Sequence, residues 1–329
     1  MIRKDGGIGV PGTMNSAGEH PAPTPTKVLA PWDDLGVHAE EGTLPECLRV
    51  YRYDGDSTPP RGLDDVEFYV LPYDRGPDPA KLISRMPALR VVQSLAAGVE
   101  DLVPLIPDGV VFANGRGLQD SSVAEHALGL ILAMQREFPR WIRQQEARTW
   151  DRDRTRSLAG SRVLLVGHGS IGGTLARLLT AAEAQVISLA KTTRASERVY
   201  GIEALPSFLG NTDILILVLP ETADTKGLIG AEELAALPDA ALVVNVGRGS
   251  AIHQDALLAE VRTGRLRAAL DVTEPEPLPP ENPLWTAPGV LITPHVAGGS
   301  ATFLPRARRL VIQQLHRFVK GEPLINRVR

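Results

Sequence analysis

Residues 162–173 read RVLLVGHGSIGG, and this stretch decides the expected fold of the chain. It opens as an apolar run with β-branched side chains, long enough for a buried parallel strand. The run leads directly into Gly167, Gly169 and Gly172, and apolar residues at helical spacing continue to residue 179. The stretch therefore predicts a strand, a tight turn and a helix.

The three glycines have separate tasks in such a turn. The first permits the tight turn, the second lets the backbone approach a pyrophosphate, and the third lets the helix pack on the strand. Phosphates then lie at the helix N-terminus, where free N–H groups and the positive end of the dipole point outward. The pattern predicts a dinucleotide-binding site rather than a glycine-rich turn without a ligand. Its candidate cofactor-binding residues are Gly167, His168, Gly169, Ser170 and Ile171.

Composition narrows the class of protein. The chain has 329 residues, 43% hydrophobic and 22% charged, as expected for a soluble globular protein of two domains. A net charge of −4 gives no general attraction to nucleic acid or anionic membranes, and no apolar stretch approaches a membrane span of ~20 residues. Cys47 is the only cysteine, which excludes an internal disulfide and fits a reducing compartment. We expect a cytoplasmic protein with no metal site and no nucleic-acid or membrane partner.

Apolar runs divide the chain into two α/β halves. Residues 1–26 lack periodicity and an apolar signal-peptide core, so we expect a disordered extension there. Strands of a small, mostly parallel domain are predicted near residues 27–30, 48–51, 66–71, 90–93 and 110–113. Strands of a doubly wound domain are predicted near residues 162–166, 185–189, 213–218, 240–245, 267–271 and 289–293. Residues 302–319 predict a helix that returns to the first domain.

A helix is expected to begin at Ser122, because residues 122–125 read SVAE and have the spacing of a capping box. The residues that follow, through Met134, are apolar almost all round, which predicts a buried position between domains or in a subunit interface. Pro139 is expected to end or kink this helix. His126 is expected to be packed or hydrogen-bonded within the helix rather than to act in catalysis.

The choice of nicotinamide cofactor depends on the end of the second strand of the doubly wound domain. An acidic residue about 20 positions past the glycines binds the ribose 2′-hydroxyl of NAD. That position lies near Ala190, and residues 185–194 contain no Asp or Glu. Two cations and two hydroxyls follow, which suit a 2′-phosphate; they are Lys191, Thr192, Thr193 and Arg194. We predict NADP(H) in preference to NAD(H); the alternative is an exposed basic turn with little influence on the cofactor.

Three further motifs follow predicted strands. Residues 245–250 read NVGRGS, residues 270–277 read LDVTEPEP and residues 291–299 read LITPHVAGG. They place an Arg, a Glu and a His at the same edge of the sheet, where the side chains can converge on one crevice. Each alone is more typical of a surface ion pair, a loop or a structural histidine. Their combination behind the glycine loop predicts an active site.

These residue types suit the reduction of a carbonyl group. Arg248 can bind a carboxylate through two parallel hydrogen bonds and polarise a 2-oxo group. The imidazole of His295 titrates near neutrality, so it can give a proton to the carbonyl oxygen as a hydride arrives. A carboxylate behind the ring favours its protonated form. Upstream, the turn containing Ala97 and Gly98 exposes backbone N–H groups that could hold a substrate carboxylate; the alternative is a plain βα turn.

The combination of motifs resembles the D-isomer-specific 2-hydroxyacid dehydrogenases. The resemblance implies that Arg248 binds substrate, that His295 is the general acid/base and that Glu276 is the acid paired with it. Glu276 is chosen over Glu274 because it directly precedes Pro-Leu and lies five residues past Asp271, as in the family. A Glu at this place argues against the formate dehydrogenase branch, which has Gln.

The resemblance extends over about residues 94–300. It implies an α/β fold of two Rossmann-like doubly wound domains, with the cofactor domain (121–299) inserted in the substrate domain (27–120 and 300–329), and a homodimer formed through the cofactor domain. The implied substrate carboxylate loop contains Ala97 and Gly98. The implied further cofactor contacts are Leu219, Pro220, Thr225, Val246, Gly247, Asp271, His295 and Gly298.

The leading hypothesis is an NADP(H)-preferring reductase of a small 2-oxo acid such as glyoxylate or hydroxypyruvate. A phosphoglycerate dehydrogenase-like enzyme is an alternative, less favoured because no regulatory domain follows before Arg329. A cofactor-sensing protein similar to the C-terminal binding protein co-repressors is another, since such proteins keep the same fold and the Arg, Glu and His.

Overall fold

The computed structural model describes residues 25–33, 35, 44–73, 75–194 and 197–329. The disordered extension expected over residues 1–26 therefore lies outside the described residues up to residue 24, while Thr26 already begins the first strand. Within the described segments, no helix combines the length and apolar character needed to cross a bilayer.

Two parallel sheets form the framework. The first has five strands in the order β2-β1-β3-β4-β5, and the second has seven in the order β12-β11-β10-β9-β6-β7-β8. The strands of the first sheet are β1 (Thr26–Ala30), β2 (Leu48–Arg52), β3 (Val66–Val70), β4 (Val91–Gln93) and β5 (Val111–Ala113). Those of the second are β6 (Arg162–Val166), β7 (Gln185–Ala190), β8 (Val199–Gly201), β9 (Ile214–Leu217), β10 (Leu242–Asn245), β11 (Arg267–Leu270) and β12 (Val290–Ile292).

Both strand orders are doubly wound, which confirms the predicted fold class. In each sheet the order reverses next to the first strand, β1 or β6, and ligands of such sheets bind outside the carboxyl ends near that reversal. The predicted strands all form, with ends that differ by one or two residues. A seventh strand in the second sheet, β8, was not predicted because its residues, VYG, end in glycine and do not form an apolar run.

Helices cover both sheets. They are α1 (Asp120–Gln135), α2 (Phe138–Glu146), α3 (Ser170–Ala181), α4 (Leu205–Leu209), α5 (Ala231–Ala236), α6 (Gln254–Arg262) and α7 (Phe303–Lys320). Helix α1 lies against the second sheet, where Ala127 and Ile131 are fully buried in a cluster that includes Leu165. Helix α7 lies against the first sheet, where Val311 and Leu315 are fully buried.

The predicted start of α1 is wrong. The helix begins at Asp120 and not at Ser122, and no side chain caps its N-terminus, so the SVAE spacing does not form a capping box. The Ser122 hydroxyl instead lies 2.5 Å from the hydroxyl of Ser300. Pro139 was expected to end or kink α1, and α1 does end before it, at Gln135. Pro139 itself occupies the first turn of α2, where its missing N–H leaves no hydrogen bond unmade.

The chain crosses between the sheets twice, from β5 to α1 and from β12 to α7. The two crossings run side by side. The hydroxyls of Ser122 and Ser300 meet there, and Gly298 approaches the Gln119 amide so closely that an added Cβ would collide with it. The division into domains at residues 120 and 300 stays a prediction.

Candidate active site

A cleft of about 590 Å³ is lined by loops that follow the carboxyl ends of strands in both sheets, and its size suits a small-molecule site. Most predicted site residues line it: Ala97, Gly98, Gly169, Ser170, Ile171, Leu219, Pro220, Val246, Gly247, Arg248, Asp271, His295 and Gly298. The other predicted site residues do not line the cleft: Gly167, His168, Lys191, Thr192, Arg194, Thr225 and Glu276. Thr225, for example, braces the wall by donating its hydroxyl to the Pro220 carbonyl at 2.7 Å.

The glycine loop is shaped for a dinucleotide pyrophosphate. Gly167 has φ +108°, a region that favours glycine, and a Cβ there would collide with the Val218 carbonyl. A Cβ on Gly172 would collide with the Gly167 carbonyl, so helix α3 packs tightly on β6. Around Gly169 there is open space, and α3 begins at the next residue. Phosphate groups thus have room at a helix N-terminus, and the residues present fit the cofactor.

The turn after β7 is tied to the glycine loop by one hydrogen bond. Arg194 Nη2 donates to the His168 carbonyl at 3.0 Å, and Arg194 Nε lies 3.3 Å from Glu197. Lys191 and Thr192 are exposed at the same turn. Burial, aided by the positive charge of Arg194, lowers the pKa of His168. Near neutral pH the cations at this turn are therefore Lys191 and Arg194.

His295 and Glu276 form a bonded pair at the cleft. The Glu276 Oε2 lies 2.7 Å from His295 Nδ1, and the Thr273 N–H donates to the other carboxylate oxygen at 3.0 Å. Glu274 is exposed and makes no hydrogen bond or ion pair within the described segments. The choice of Glu276 over Glu274 as the histidine partner agrees with this geometry.

The pair shifts the titration of both groups. The hydrogen bond to Glu276 outweighs the opposing effect of burial and raises the pKa of His295. For Glu276, burial acts to raise the pKa, but the hydrogen bonds from His295 and Thr273 outweigh it and lower the pKa. The arrangement favours an imidazolium beside a carboxylate, which is a proton donor suited to neutral pH.

Replacing Glu276 with Gln is expected to move the pH dependence of catalysis. Without the carboxylate, the pKa of His295 falls back toward its ordinary value. Reduction needs protonated His295, so the rate of reduction is high below the pKa of His295 and falls as the pH rises through it. In the variant this fall should occur at a lower pH. Oxidation needs the neutral imidazole, so the rate of oxidation should begin to rise at a lower pH in the variant than in the unmodified protein. The profile of kcat/KM against pH in both directions measures this.

Glu274→Gln is the matched control, since it removes an equal charge two residues away. Its pH profile should follow that of the unmodified protein. If the rates of Glu276→Gln change at the same pH values as those of the control, Glu276 does not set the pKa of His295.

Arg248 lies against the small-residue turn. Its Nη1 donates to the Gly247 carbonyl at 2.9 Å, and Asn245 Nδ2 donates to the Arg248 carbonyl at 2.9 Å, which fixes the backbone of the loop. The Nη2 atom is 3.8 Å from Glu100 Oε2. A Cβ on Gly98 would collide with the same Nη2 atom. The guanidinium therefore faces the predicted carboxylate-binding turn at close range.

Asp271 is a buried carboxylate beneath the histidine loop. Burial acts to raise its pKa, but hydrogen bonds from His126, Thr293 and the N–H groups of Ala297 and Val296 outweigh this and lower it. His126 Nε2 lies 3.0 Å from Thr293 Oγ1 and 3.3 Å from Asp271 Oδ1. His126 was expected to be packed or hydrogen-bonded within its helix; it is hydrogen-bonded, but its partners lie outside the helix, at the end of β12 and in the loop after β11.

Several polar residues of the cleft were not predicted. They are Tyr73, Arg75, Glu100, Asn114, Arg116, Gln119 and Asp120. Asn114 Nδ2 donates to the Ala97 carbonyl at 2.9 Å and so shapes the small-residue turn, while Asp120 accepts a hydrogen bond from the Ser170 hydroxyl. All follow strands β3, β4 or β5, and their position past those strand ends was the available signal.

Fold and cleft together define an oxidoreductase of the dinucleotide-binding class, with a cation, a histidine–carboxylate pair and a glycine loop around one site. A family model described as D-isomer specific 2-hydroxyacid dehydrogenase, NAD binding domain, matches residues 128–297, more than half of the chain. The chain therefore belongs to the D-isomer specific 2-hydroxyacid dehydrogenase family and is an NAD(P)-dependent 2-hydroxyacid dehydrogenase. The resemblance of its motifs to this family is confirmed.

Three similar proteins illustrate the match. A 2-hydroxyacid dehydrogenase from Xanthobacter autotrophicus Py2, solved with NADPH and MES, is 31% identical with a TM-score of 0.75, covering 93% of this chain and 98% of that one. An NADPH-dependent glyoxylate/hydroxypyruvate reductase from Sinorhizobium meliloti, solved with NADP and sulfate, is 30% identical with a TM-score of 0.77, covering 93% and 98%. A D-3-phosphoglycerate dehydrogenase from Archaeoglobus fulgidus is 29% identical, covering 76% of this chain and 49% of the relative, so the chain spans about half its length.

Proposed function

We propose that this protein is an NADPH-preferring reductase of small 2-oxo acids, of the glyoxylate/hydroxypyruvate type. The observation that carries the proposal is the placing of Arg248 and the His295–Glu276 pair on one cleft, with Arg248 facing the turn at Gly98. The similarity to the Sinorhizobium meliloti reductase supports the substrate class.

The proposed roles follow from these positions. Arg248 and the backbone N–H groups of the Ala97–Gly98 turn hold the substrate carboxylate, and the guanidinium polarises the 2-oxo group. When bound, the cofactor would supply the hydride for C2 of the substrate and leave as NADP⁺. His295 gives its proton to the carbonyl oxygen, so that the products are the 2-hydroxy acid and a neutral imidazole. Glu276 stabilises the imidazolium before transfer and fixes the orientation of the ring.

An absorbance assay at 340 nm tests the proposal. NADPH and NADH are compared with glyoxylate, hydroxypyruvate, pyruvate, a bulkier 2-oxo acid and a phosphorylated one. Oxidation of NADPH with glyoxylate or hydroxypyruvate at the highest kcat/KM supports the proposal. A marked preference for the phosphorylated acid would favour the phosphoglycerate-type alternative. Binding of NADPH without any turnover, together with cofactor-dependent capture of a protein partner, would favour a cofactor sensor.

The proposed preference for NADPH is supported by the positive charge of the turn after β7. Strand β7 ends at Ala190 without an acidic residue, and Arg194 is held at the glycine loop by its bond to His168. Two of the similar structures were solved with NADPH or NADP. A cationic turn at this strand end attracts the extra phosphate of NADPH, which a carboxylate would repel.

Replacing Ala190 with Asp is expected to turn the preference toward NADH. The new carboxylate can accept a hydrogen bond from the ribose 2′-hydroxyl and repels a 2′-phosphate, so the ratio of kcat/KM for NADPH over NADH should fall by about tenfold or more. Initial rates at varied cofactor concentration give the ratio.

Ala235→Asp is the control for this substitution, because Ala235 is an exposed residue of α5 that does not line the cleft. It adds the same charge and should leave the ratio unchanged. If Ala190→Asp and the control have the same ratio of kcat/KM for NADPH over NADH, this turn does not distinguish a 2′-phosphate from a 2′-hydroxyl.

We also propose a homodimer. Leu132 at 38% exposure, Phe138 at 52%, Ile142 at 58% and Trp150 at 89% are large apolar side chains left exposed along and just beyond helices α1 and α2. Clustering of such residues on one segment is typical of a protein interface. Measurement of the molar mass in solution by light scattering tests the dimer.

A further inference from the structure

The loop that carries His295 is held in an unfavourable backbone conformation. His295 has φ +51°, in the left-handed region that non-glycine residues seldom adopt. Such a conformation persists only where the surrounding contacts enforce it. The position of the imidazole therefore depends on what holds residues 293–297.

Asp271 supplies most of these contacts. Its backbone carbonyl accepts from the His295 N–H at 2.8 Å, and its carboxylate accepts from the N–H groups of Val296 and Ala297, each at 3.0 Å. The Thr293 hydroxyl lies 2.5 Å from Asp271 Oδ1. One buried carboxylate thus holds both sides of His295 in place.

The hydrogen-bond directions in this network assign a donor role to His126. An ionised carboxylate only accepts, so the single hydroxyl proton of Thr293 goes to Asp271. Thr293 Oγ1 can then only accept from His126, whose Nε2 is 3.0 Å away, and Asp271 Oδ1 at 3.3 Å also only accepts. Whichever of the two receives the bond, the Nε2 atom of His126 carries the proton.

We propose that His126 is a positioning residue of the reaction: by donating its Nε2–H to the Thr293–Asp271 pair, it holds the loop in which His295 meets Glu276 at the cleft. The inference rests on the proposed role of His295 as the proton donor. His126 lies on α1, 167 positions before Thr293, so it ties a helix from one crossing between the sheets to the loop at the other.

The same contact is not needed to hold the helix. Helix α1 is anchored by Ala124, Ala127 and Ile131, all fully buried, whereas the His126 side chain keeps 25% of its surface exposed. Replacing the imidazole with a side chain of similar size therefore leaves this buried anchor in place. The expected effect is that the His295 ring is held less well in its reactive orientation. A misplaced catalytic group lowers kcat without a matching loss of cofactor binding.

Two variants test the role. His126→Leu removes the donor and keeps an apolar side chain, and His126→Gln offers an amide N–H in about the place of Nε2. With NADPH and glyoxylate, or the 2-oxo acid that the unmodified protein reduces fastest, His126→Leu is expected to lower kcat by about tenfold while the Kd of NADPH stays within about twofold. His126→Gln should restore most of the rate.

A spectroscopic readout works without any substrate. The charged groups acting on the His295 ring are Glu276, Arg248 and Asp271. When the loop loosens, the bond to Glu276 is made less often, so the raised pKa of His295 should fall in His126→Leu and recover in His126→Gln. Titration by NMR measures it, with the His295 signal assigned by its absence from His295→Ala.

Thr293 gives an independent pair of variants, in case the leucine variant does not fold. Thr293→Val should repeat the loss and Thr293→Ser should restore it. The double variant His126→Leu/Thr293→Val should be no slower than the slower single variant, because both act through one network.

The inference is overturned if His126→Leu or Thr293→Val keeps the unmodified kcat and the unmodified His295 titration, or if glutamine does not improve on leucine. Failure of the proposed function is recognised separately. If His295→Ala turns over normally, His295 is not the proton donor. If His295→Ala is inactive while His126→Leu is normal, only the role of His126 is refuted.

Discussion

Replacement of His295 by Ala is expected to lower kcat by about three orders of magnitude while NADPH still binds. General acid–base catalysis by a positioned side chain contributes typically 10²–10⁴-fold. The imidazole is held by Glu276 at 2.7 Å and has its pKa raised by that bond, so its proton is available near neutral pH. Rates at 340 nm and titration of NADPH by fluorescence separate the loss of chemistry from any loss of binding.

His253→Ala is the matched control, because His253 lies at the N-terminus of α6 and does not line the cleft. That variant should keep kcat within about twofold. Turnover by His295→Ala at a comparable rate would remove His295 from the mechanism. A parallel loss of NADPH binding would instead mean that the loop from residue 293 to 297 also shapes the cofactor site.

Arg248→Lys is expected to lower kcat/KM for the 2-oxo acid by about 100-fold. Lysine keeps the positive charge but is a point donor that cannot bind a carboxylate in the two-pronged manner of a guanidinium. Loss of one preorganised donor to a developing oxyanion costs about 10²–10³ in rate. The variant also loses the Nη1 bond to the Gly247 carbonyl, which now fixes the side chain. Steady-state kinetics with varied 2-oxo acid at saturating NADPH measures the effect.

Arg177→Lys provides the control, since Arg177 is an exposed residue of α3. It should leave both kcat and KM unchanged. If Arg248→Lys behaves like Arg177→Lys, the substrate carboxylate is bound elsewhere in the cleft. If KM rises with kcat unchanged, Arg248 contributes binding but does not polarise the reacting carbonyl.

The second sheet was predictable because its strands are apolar runs that end in turn residues. Buried parallel strands are apolar on both faces, so runs such as residues 214–217 and 242–245 can be recognised in the sequence itself. Strand β8 reads VYG, which is not an apolar run and gives no such signal. The start of α1 was misread because the capping-box spacing at Ser122 is a local pattern, whereas the contact of that hydroxyl with Ser300 spans 178 positions.

The site was predictable to the extent that parallel strands all end at one edge. This rule brings Arg248 and His295 to the same crevice from residue order alone. It does not separate Glu274 from Glu276, which required the family spacing. It also says nothing about the contact of Arg248 with Glu100, which depends on how the two sheets face one another. Nor does it give the contact of His126 with Thr293, which depends on how α1 packs on the second sheet.

The paired crossings between the sheets define an axis for motion. We expect the two chain segments, in contact at Ser122 and Ser300, to act as the hinge for any rotation of one sheet relative to the other. Arg248 follows a strand of the second sheet and the Ala97–Gly98 turn follows a strand of the first, so the angle of this rotation sets whether a carboxylate can touch both. We expect the 2-oxo acid to be bound by both groups at only one angle between the sheets. Binding of an acid of the right shape would then close the cleft and exclude water before hydride transfer.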